Sequence, residues 1–408
     1  MSKLQELIQR LCPDGVEYKK LGEICIFKRG DVLSSKDAVE GDVPVMAGGQ
    51  KPSCYHNVPN RKGETIVVAG SGAYAGFVTY WNIPVFVSDA FSVHPIDGLL
   101  PKYVFHYLKN NQAKIHATKK GAGVPHVHGK DIAKFLIPVP PLEVQEEIVR
   151  ILDRFSDYAA ELQAELQARK EQYEYYRNLL LTFNPAGCAG EADDEQEGSV
   201  TTRGGHSYPI QWKTMGEVGT FIRGNGLQKK DFTESGVGCI HYGQIYTYYG
   251  TFATETKSFV SEEFAKKLRK AQTGDLVIAT TSENVEDVGK AVVWLGKDEI
   301  AISGDAYVYK HNQNPRYIAY LLQTDRFLAF KRMNVSGTKV TRISGDSLAK
   351  YPIPIPPLEL QEKIVAVLDR FETLVNDLSE GLPAEIAAVK EQYEYYRNRL
   401  LTFKEKTA

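Results

Sequence analysis

The chain has 408 residues, 43% hydrophobic and 25% charged, with a formal net charge of −2. This is the make-up of a globular chain of about two to four domains, and with no apolar run near ~20 residues it excludes a membrane-spanning class. The charge is divided: residues 16–137 carry 15 Lys/Arg against 10 Asp/Glu and residues 210–351 carry 19 against 15, whereas 138–183 carry 5 against 9, so the globular parts suit a polyanionic partner and the rest does not.

Residues 1–15 read as a short amphipathic N-terminal helix ending near Pro13-Asp14-Gly15. No signal-peptide core is present. Five cysteines (Cys12, Cys25, Cys54, Cys188, Cys239) are scattered without a C-x-x-C pair, which predicts reduced thiols and a cytoplasmic location. Residues 16–137 mix short β-rich runs, such as 65–69 and 84–87, with many Gly and Pro. A short helix is predicted over 101–111, with proline in its first turn. The pattern is α+β.

Residues 138–183 predict a long helix. It opens on PVPPLEVQEEIVRILDRF (138–155) and closes on EQYEYYRN (171–178). Proline suits the first helical turn. Apolar residues then alternate at spacings of four and three: Ile148, Leu152, Phe155, Ala159, Leu162, Leu166, Tyr173, Tyr176, Leu180 and Phe183, interrupted at Arg169. This is a coiled-coil seam. A tetrad, Ala160-Glu161-Leu162-Gln163, repeats at once as Ala164-Glu165-Leu166-Gln167.

Residues 184–209 are polar, acidic and Gly-rich, and predict a flexible linker. Residues 210–351 form a second globular domain. Residues 352–408 repeat the helix: PIPPLELQEKIVAVLDRF (354–371) and EQYEYYRN (391–398). Its seam runs through Ile364, Leu368, Phe371, Val375, Leu378, Leu382, Ile386, Val389, Tyr393, Tyr396, Leu400 and Phe403. Asp369 and Arg397 are four residues further apart than Asp153 and Arg177, a stutter that keeps the seam nearly in phase. Gly381 and Pro383 predict a kink or break there. The two helices are predicted to pair as an antiparallel coiled coil.

The globular domains are themselves related. Leu21-Gly22-Glu23-Ile24 answers Met215-Gly216-Glu217-Val218. Arg29-Gly30 answers Arg223-Gly224, and Ser88-Asp89-Ala90-Phe91 answers Gly304-Asp305-Ala306-Tyr307. Gly121, Gly129 and Ala133-Lys134 answer Gly337, Gly345 and Ala349-Lys350. Between these anchors the halves differ, so one scaffold carries two surfaces.

No catalytic centre emerges. Gly70-Ser71-Gly72-Ala73-Tyr74-Ala75-Gly76 has the wrong spacing for a dinucleotide loop and reads as a turn. Pro13-Asp14 with Glu17 and Lys19 sits too close in sequence for a metal-nuclease triad. His126 and His128 lack a third ligand nearby, and no P-loop is present. The candidate DNA contacts lie in Gly-punctuated loops: Arg29, Gln50, Lys51, Lys119, Lys120, His126, His128 and Lys130 in the first half. In the second half they are Arg223, Lys229, Lys230, Gln244, Tyr246, Arg332, Lys339 and Arg342. Glutamine can read adenine and arginine guanine, while lysine grips phosphate.

Two divergent domains, each followed by P-x-P-P-L-E-x-Q-E-x-I-V and L-D-R-F, resemble the specificity subunit of a type I restriction–modification enzyme, with EQYEYYRN similar to that family's C class. The resemblance implies that each domain reads one half of a bipartite, asymmetric site in double-stranded DNA while the helices space them. It implies two modification subunits, which bind S-adenosylmethionine and methylate adenine, and restriction subunits using ATP and Mg2+. This chain would itself hold no cofactor and catalyse nothing. Read from the residues alone, a protein–protein scaffold with two ligand-binding domains is the alternative.

Overall fold

The structure is a computed structural model describing residues 3–33, 39–96, 98–121, 123–183, 197–201, 207–337 and 339–406. It divides into two units, Met1–Ala164 with Ala384–Ala408, and Glu165–Pro383. The helix Leu142–Leu181 runs without a break from the first into the second.

In the first unit, strands Glu17–Lys20 and Leu136–Val139 pair antiparallel, joining the two ends of the globular part. Between them lies an antiparallel sheet in the order Cys25–Arg29, Ala90–Pro95, Thr65–Ala69, Val78–Trp81. Thr65–Ala69 is buried along its whole length, as its unbroken apolar run requires. A second sheet sets Val43–Met46 between Cys54–His56 and Phe86–Val87. The helix Pro101–Asn110 starts on its proline and buries Tyr103, Val104 and Leu108. The same core takes in Val144, Ile148 and Leu152, so the start of the long helix is part of the domain.

The end of the chain returns to this unit. Val16 N donates to Lys404 O and Lys406 N to Val16 O, each at 2.9 Å. Phe155 stacks on Tyr396 at 5.4 Å, and the Tyr158 hydroxyl reaches Glu385. Partner numbers fall as the long-helix numbers rise, so this pair is antiparallel.

The second unit repeats the plan with additions. Its main sheet runs Gly219–Arg223, Ala306–His311, Leu276–Ala279, Ala291–Trp294, Phe252–Ala253. A four-stranded sheet runs Ser258–Val260, Val237–Ile240, Ile300–Ile302, Lys270–Ala271. Strands Ser207–Thr214 and Pro352–Ile355 pair antiparallel, as their counterparts do in the first unit. Tyr173 and Tyr176 of the long helix stack on Phe371 at 6.3 and 5.6 Å.

The sequence anchors mark tight backbone approaches. A Cβ on Gly22 would meet Ala133 Cβ at 3.0 Å, and one on Gly216 would meet Ala349 Cβ at 3.2 Å. Each glycine therefore seats its domain's first helical turn on the turn before its last strand.

The structure corrects the sequence reading in two places. Leu378 is not a seam residue: it is 82% exposed, between the helices Leu358–Asn376 and Leu382–Leu400. Asp377 Oδ1 accepts from Ser379 N and Glu380 N, and Gly381 N donates to Asp377 O, closing a turn that replaces a continuous helix. The tract 184–209 is also not wholly linker. Glu197–Thr201 forms a strand on Ser207–Thr214, which offers it a free edge beside Pro352–Ile355. The acidic average over the tract hid the short Ser199-Val200-Thr201 run. Residues 184–196 and 202–206 lie outside the described residues. No described helix is long and apolar enough to cross a membrane.

Candidate nucleic-acid interface

At one end of the first domain, three loops converge. Lys120 and His126 exchange backbone hydrogen bonds of 2.9 and 2.8 Å, closing a hairpin. Val127 N donates to Gly70 O and Gly72 N to Pro125 O, which fastens the hairpin to the 70–76 turn. In that turn Gly72 and Gly76 take φ of +81° and +84°, a region that favours glycine. A Cβ on Gly48 would meet Ser71 O at 2.6 Å, bringing the Gln50 loop alongside. The result is a cleft of about 300 Å³ lined by Arg29, Asp89, His126, His128 and Lys130, among others.

Arg29, Gln50, Lys51, His128 and Lys130 are exposed, and among the described residues their side chains form no hydrogen bond or ion pair. The arginine and the two lysines among them keep their full capacity for phosphate. The His126 and His128 rings stack at 6.4 Å, and His126 Nδ1 donates to Val124 O at 2.7 Å. Lys119 and Lys120 are partly spent: Lys119 donates to Ala73 O at 3.1 Å, and Lys120 pairs with Asp131 at 2.7 Å. Lys120, with help from Lys134, holds the Asp131 carboxyl below its usual range.

The second domain builds an equivalent end. Ser336 and Arg342 exchange backbone bonds of 2.9 and 2.8 Å, and Thr341–Arg342 pairs with Thr281–Ser282. Lys229, Lys230, Lys339 and Arg342 are exposed, with no side-chain hydrogen bond or ion pair among the described residues. Arg223 Nε donates to Gly304 O at 3.2 Å, and Arg332 faces Glu286 at 3.9 Å. Tyr246 is half-buried, its hydroxyl hydrogen-bonded to Ser282.

Gln244 is occupied inside the domain. Its Oε1 accepts from His241 N at 2.9 Å and its Nε2 donates to Ser258 Oγ at 2.7 Å, capping the helix Tyr242–Thr247. Gly49-Gln50 answers Gly243-Gln244 at the same spacing as Arg29-Gly30 answers Arg223-Gly224, yet Gln50 and Gln244 differ in use. Burial, and then Lys229, lower the pKa of the neighbouring His241.

The candidate set missed one pair of residues. The Ser71 hydroxyl donates to Asp89, and the Thr281 hydroxyl donates to Asp305 at 3.3 Å. The signal was available: both aspartates belong to the repeated Asp-Ala-aromatic anchor.

Tandem α+β domains with cation-rimmed loop ends, the first followed by a long helix and the second by two helices broken by a turn, define a DNA-specificity protein. Residues 13–171 and 209–388 match the type I restriction modification DNA specificity domain, and the chain belongs to that family. It is 28% identical to a putative type I restriction enzyme specificity subunit of Haemophilus influenzae, over 95% of this chain and 96% of that one. It is 29% identical to the EcoR124I/EcoR124II specificity subunit of Escherichia coli, over 74% and 71%. A type I restriction–modification S subunit from M. genitalium has a similar fold, with TM-score 0.56 at 16% identity over 95% and 96% of the two chains. A structure described for complex assembly and conformational transition of a type I system matches with TM-score 0.56 at 20% identity, over 96% and 98%.

Proposed function

We propose that this chain reads DNA for a type I restriction–modification complex and is itself non-catalytic. Each domain reads one half of a bipartite site through its loop end, and the helices set the distance between the halves. The observation that carries this is the pairing of a repeated scaffold with dissimilar loops: Gln50, Lys51, His128 and Lys130 at one end, Lys229, Lys230, Lys339 and Arg342 at the other. A repeated scaffold presents two loop sets in the same manner, and unlike loop sets select unlike half-sites.

Adenine-methylating modification subunits and restriction subunits dock on this chain, and S-adenosylmethionine, ATP and Mg2+ belong to those partners. Equivalent apolar side chains stay exposed on both helical repeats: Leu142 and Leu358 at 46% and 51%, Tyr175 and Tyr395 at 62% and 57%. A repeated exposed apolar position suits a partner present twice.

The test is to exchange residues 16–137 for the matching domain of another subunit and map methylated adenines in cells carrying the modification partner. One half-site should change and the other persist; a change in both refutes modular reading. A protein-binding scaffold would show no steep salt dependence on duplex DNA, whereas a phosphate-gripping complex must.

A further inference from the structure

The loop ends of the two domains differ, yet one constellation inside them is the same. Phe27-x-Arg29-Gly30 matches Phe221-x-Arg223-Gly224, and Asp89-Ala90-Phe91 matches Asp305-Ala306-Tyr307. The sheets bring these segments together. Arg29 lies opposite Phe91 in one and Arg223 opposite Tyr307 in the other. The aromatic pairs sit at 6.2 Å (Phe27–Phe91) and 6.1 Å (Phe221–Tyr307). Gly129 presses on the first pair, where a Cβ would meet Phe27 at 3.1 Å, and Gly345 presses on Tyr307, at 2.9 Å. In both domains the aspartate accepts from a hydroxyl of the facing segment, Ser71 in a turn or Thr281 in a short strand.

A carboxylate is out of place here if the loop end only grips phosphate. Asp89 lines a cleft shared with Arg29, His126, His128 and Lys130. Bringing DNA phosphates to that cleft sets like charges together, which opposes binding. The opposition is offset only if the DNA offers the carboxylate a hydrogen-bond donor. In the major groove the donors on base edges are N6 of adenine and N4 of cytosine. The hydroxyl of Ser71 or Thr281 uses one carboxylate oxygen, and the other remains free to accept.

We propose that Asp89 and Asp305 are base-reading residues, each accepting a hydrogen bond from the exocyclic amine of an adenine or cytosine at the equivalent step of its half-site, with Arg29 and Arg223 gripping the adjoining DNA. The two half-sites, otherwise different, therefore share an amine-bearing base at one matched position. This rests on the reading that each domain recognises one half-site.

The test uses the full chain assembled with its modification partner. Asp89→Asn and Asp305→Asn keep the side-chain shape but place a donor beside the acceptor. The methylated motif of each variant is mapped, and affinity is measured on duplexes carrying each base at every half-site position. Asp89→Asn should relax preference by roughly tenfold at one position of the first domain's half-site only, and Asp305→Asn should do so at the matched position of the other. If either asparagine variant weakens all duplexes equally with an unchanged motif, the aspartates only position the loops and the proposal is overturned. Should Asp89→Asn lower the melting temperature, Asp89→Glu supplies a second reading, since a displaced carboxylate must still disturb that one position. The unaltered complex is the control for the parent reading: failure to methylate a bipartite site would refute half-site recognition, whatever the variants do.

Discussion

His106 and Asp153 are joined at 3.0 Å, Nε2 to Oδ1, and the other ring nitrogen of His106 faces the Tyr393 hydroxyl at 3.0 Å. Three helices of the first unit meet in this half-buried group, and Lys102 adds a bond to Asp153 at 2.6 Å. Burial alone would push the Asp153 carboxyl up, but His106 and Lys102 outweigh it and its pKa is lowered. In the second unit Asp369 takes the same place. It accepts from Arg316 and, at 2.7 Å, from the Tyr320 hydroxyl. The repeated Leu-Asp-Arg-Phe is therefore the joint between each domain and its helix.

Asp153→Ala leaves the His106 ring, 1% exposed, with one nitrogen unpartnered in the interior. A buried polar group stranded in this way costs about 1–3 kcal/mol. Urea denaturation of Asp153→Ala should show a lower midpoint, and Asp369→Ala should show a comparable fall. An unchanged midpoint in both would deny the joint.

Gln50 and Gln244 should separate in the same kind of measurement. Gln50 is exposed and unengaged, whereas both ends of the Gln244 amide are bonded within the domain. Gln50→Ala should leave the melting curve unmoved and weaken DNA binding. Gln244→Ala should cost about 1–3 kcal/mol of stability and leave the methylated motif unchanged. The reverse pattern would exchange their roles.

The scaffold was legible where backbone sterics demand a residue type. Pro140-Pro141 and Pro356-Pro357 precede helices beginning at Leu142 and Leu358. Gly22 and Gly216 recur because an alanine methyl group sits against each. The side-chain partners of the loop residues were not legible. Nothing in local spacing distinguishes Lys120, bound to Asp131, from unpaired Lys130 ten positions on, because the pairing depends on how a hairpin folds back. Leu378 misled for a related reason: seam periodicity continues through a turn that Asp377 and Gly381 close.

His311 gives the second unit a pH-dependent stability. It is half-buried, its ring stacked on Tyr309, with Nδ1 accepting from Gln313 N at 3.1 Å and a buried Nε2 unpartnered among the described residues. Burial lowers its pKa to about 4 from an ordinary 6.5. Between these values the unfolded chain holds a proton that the folded one refuses, so stability is present above pH 6.5 and is lost as pH falls toward 4. The loss reaches up to roughly 3 kcal/mol. Melting curves across that window should flatten for His311→Asn; a slope equal to that of the unaltered chain would assign the effect to other groups.

The two tetrads of Ala160–Gln167 are expected to make the spacer adjustable. Leu162 is buried and Leu166 half-buried, each supplying one seam contact per tetrad. Four residues turn a helix by about 400°, only about 40° past a full turn, so adding or deleting one tetrad keeps the apolar stripe on the same side. It also changes the helix length by about 6 Å, against 3.4 Å per base pair, which predicts a spacer altered by about one or two base pairs. A two-residue insertion at the same place turns the helix by about 200° and carries everything beyond it to the opposite side. That variant should lose stability instead of acquiring a new spacer. Mapping methylated sites for the four-residue deletion, the four-residue insertion and the two-residue insertion separates length from phase. An unchanged spacer in the tetrad variants, with methylation intact, would show that the helices hold the domains without measuring the distance between half-sites.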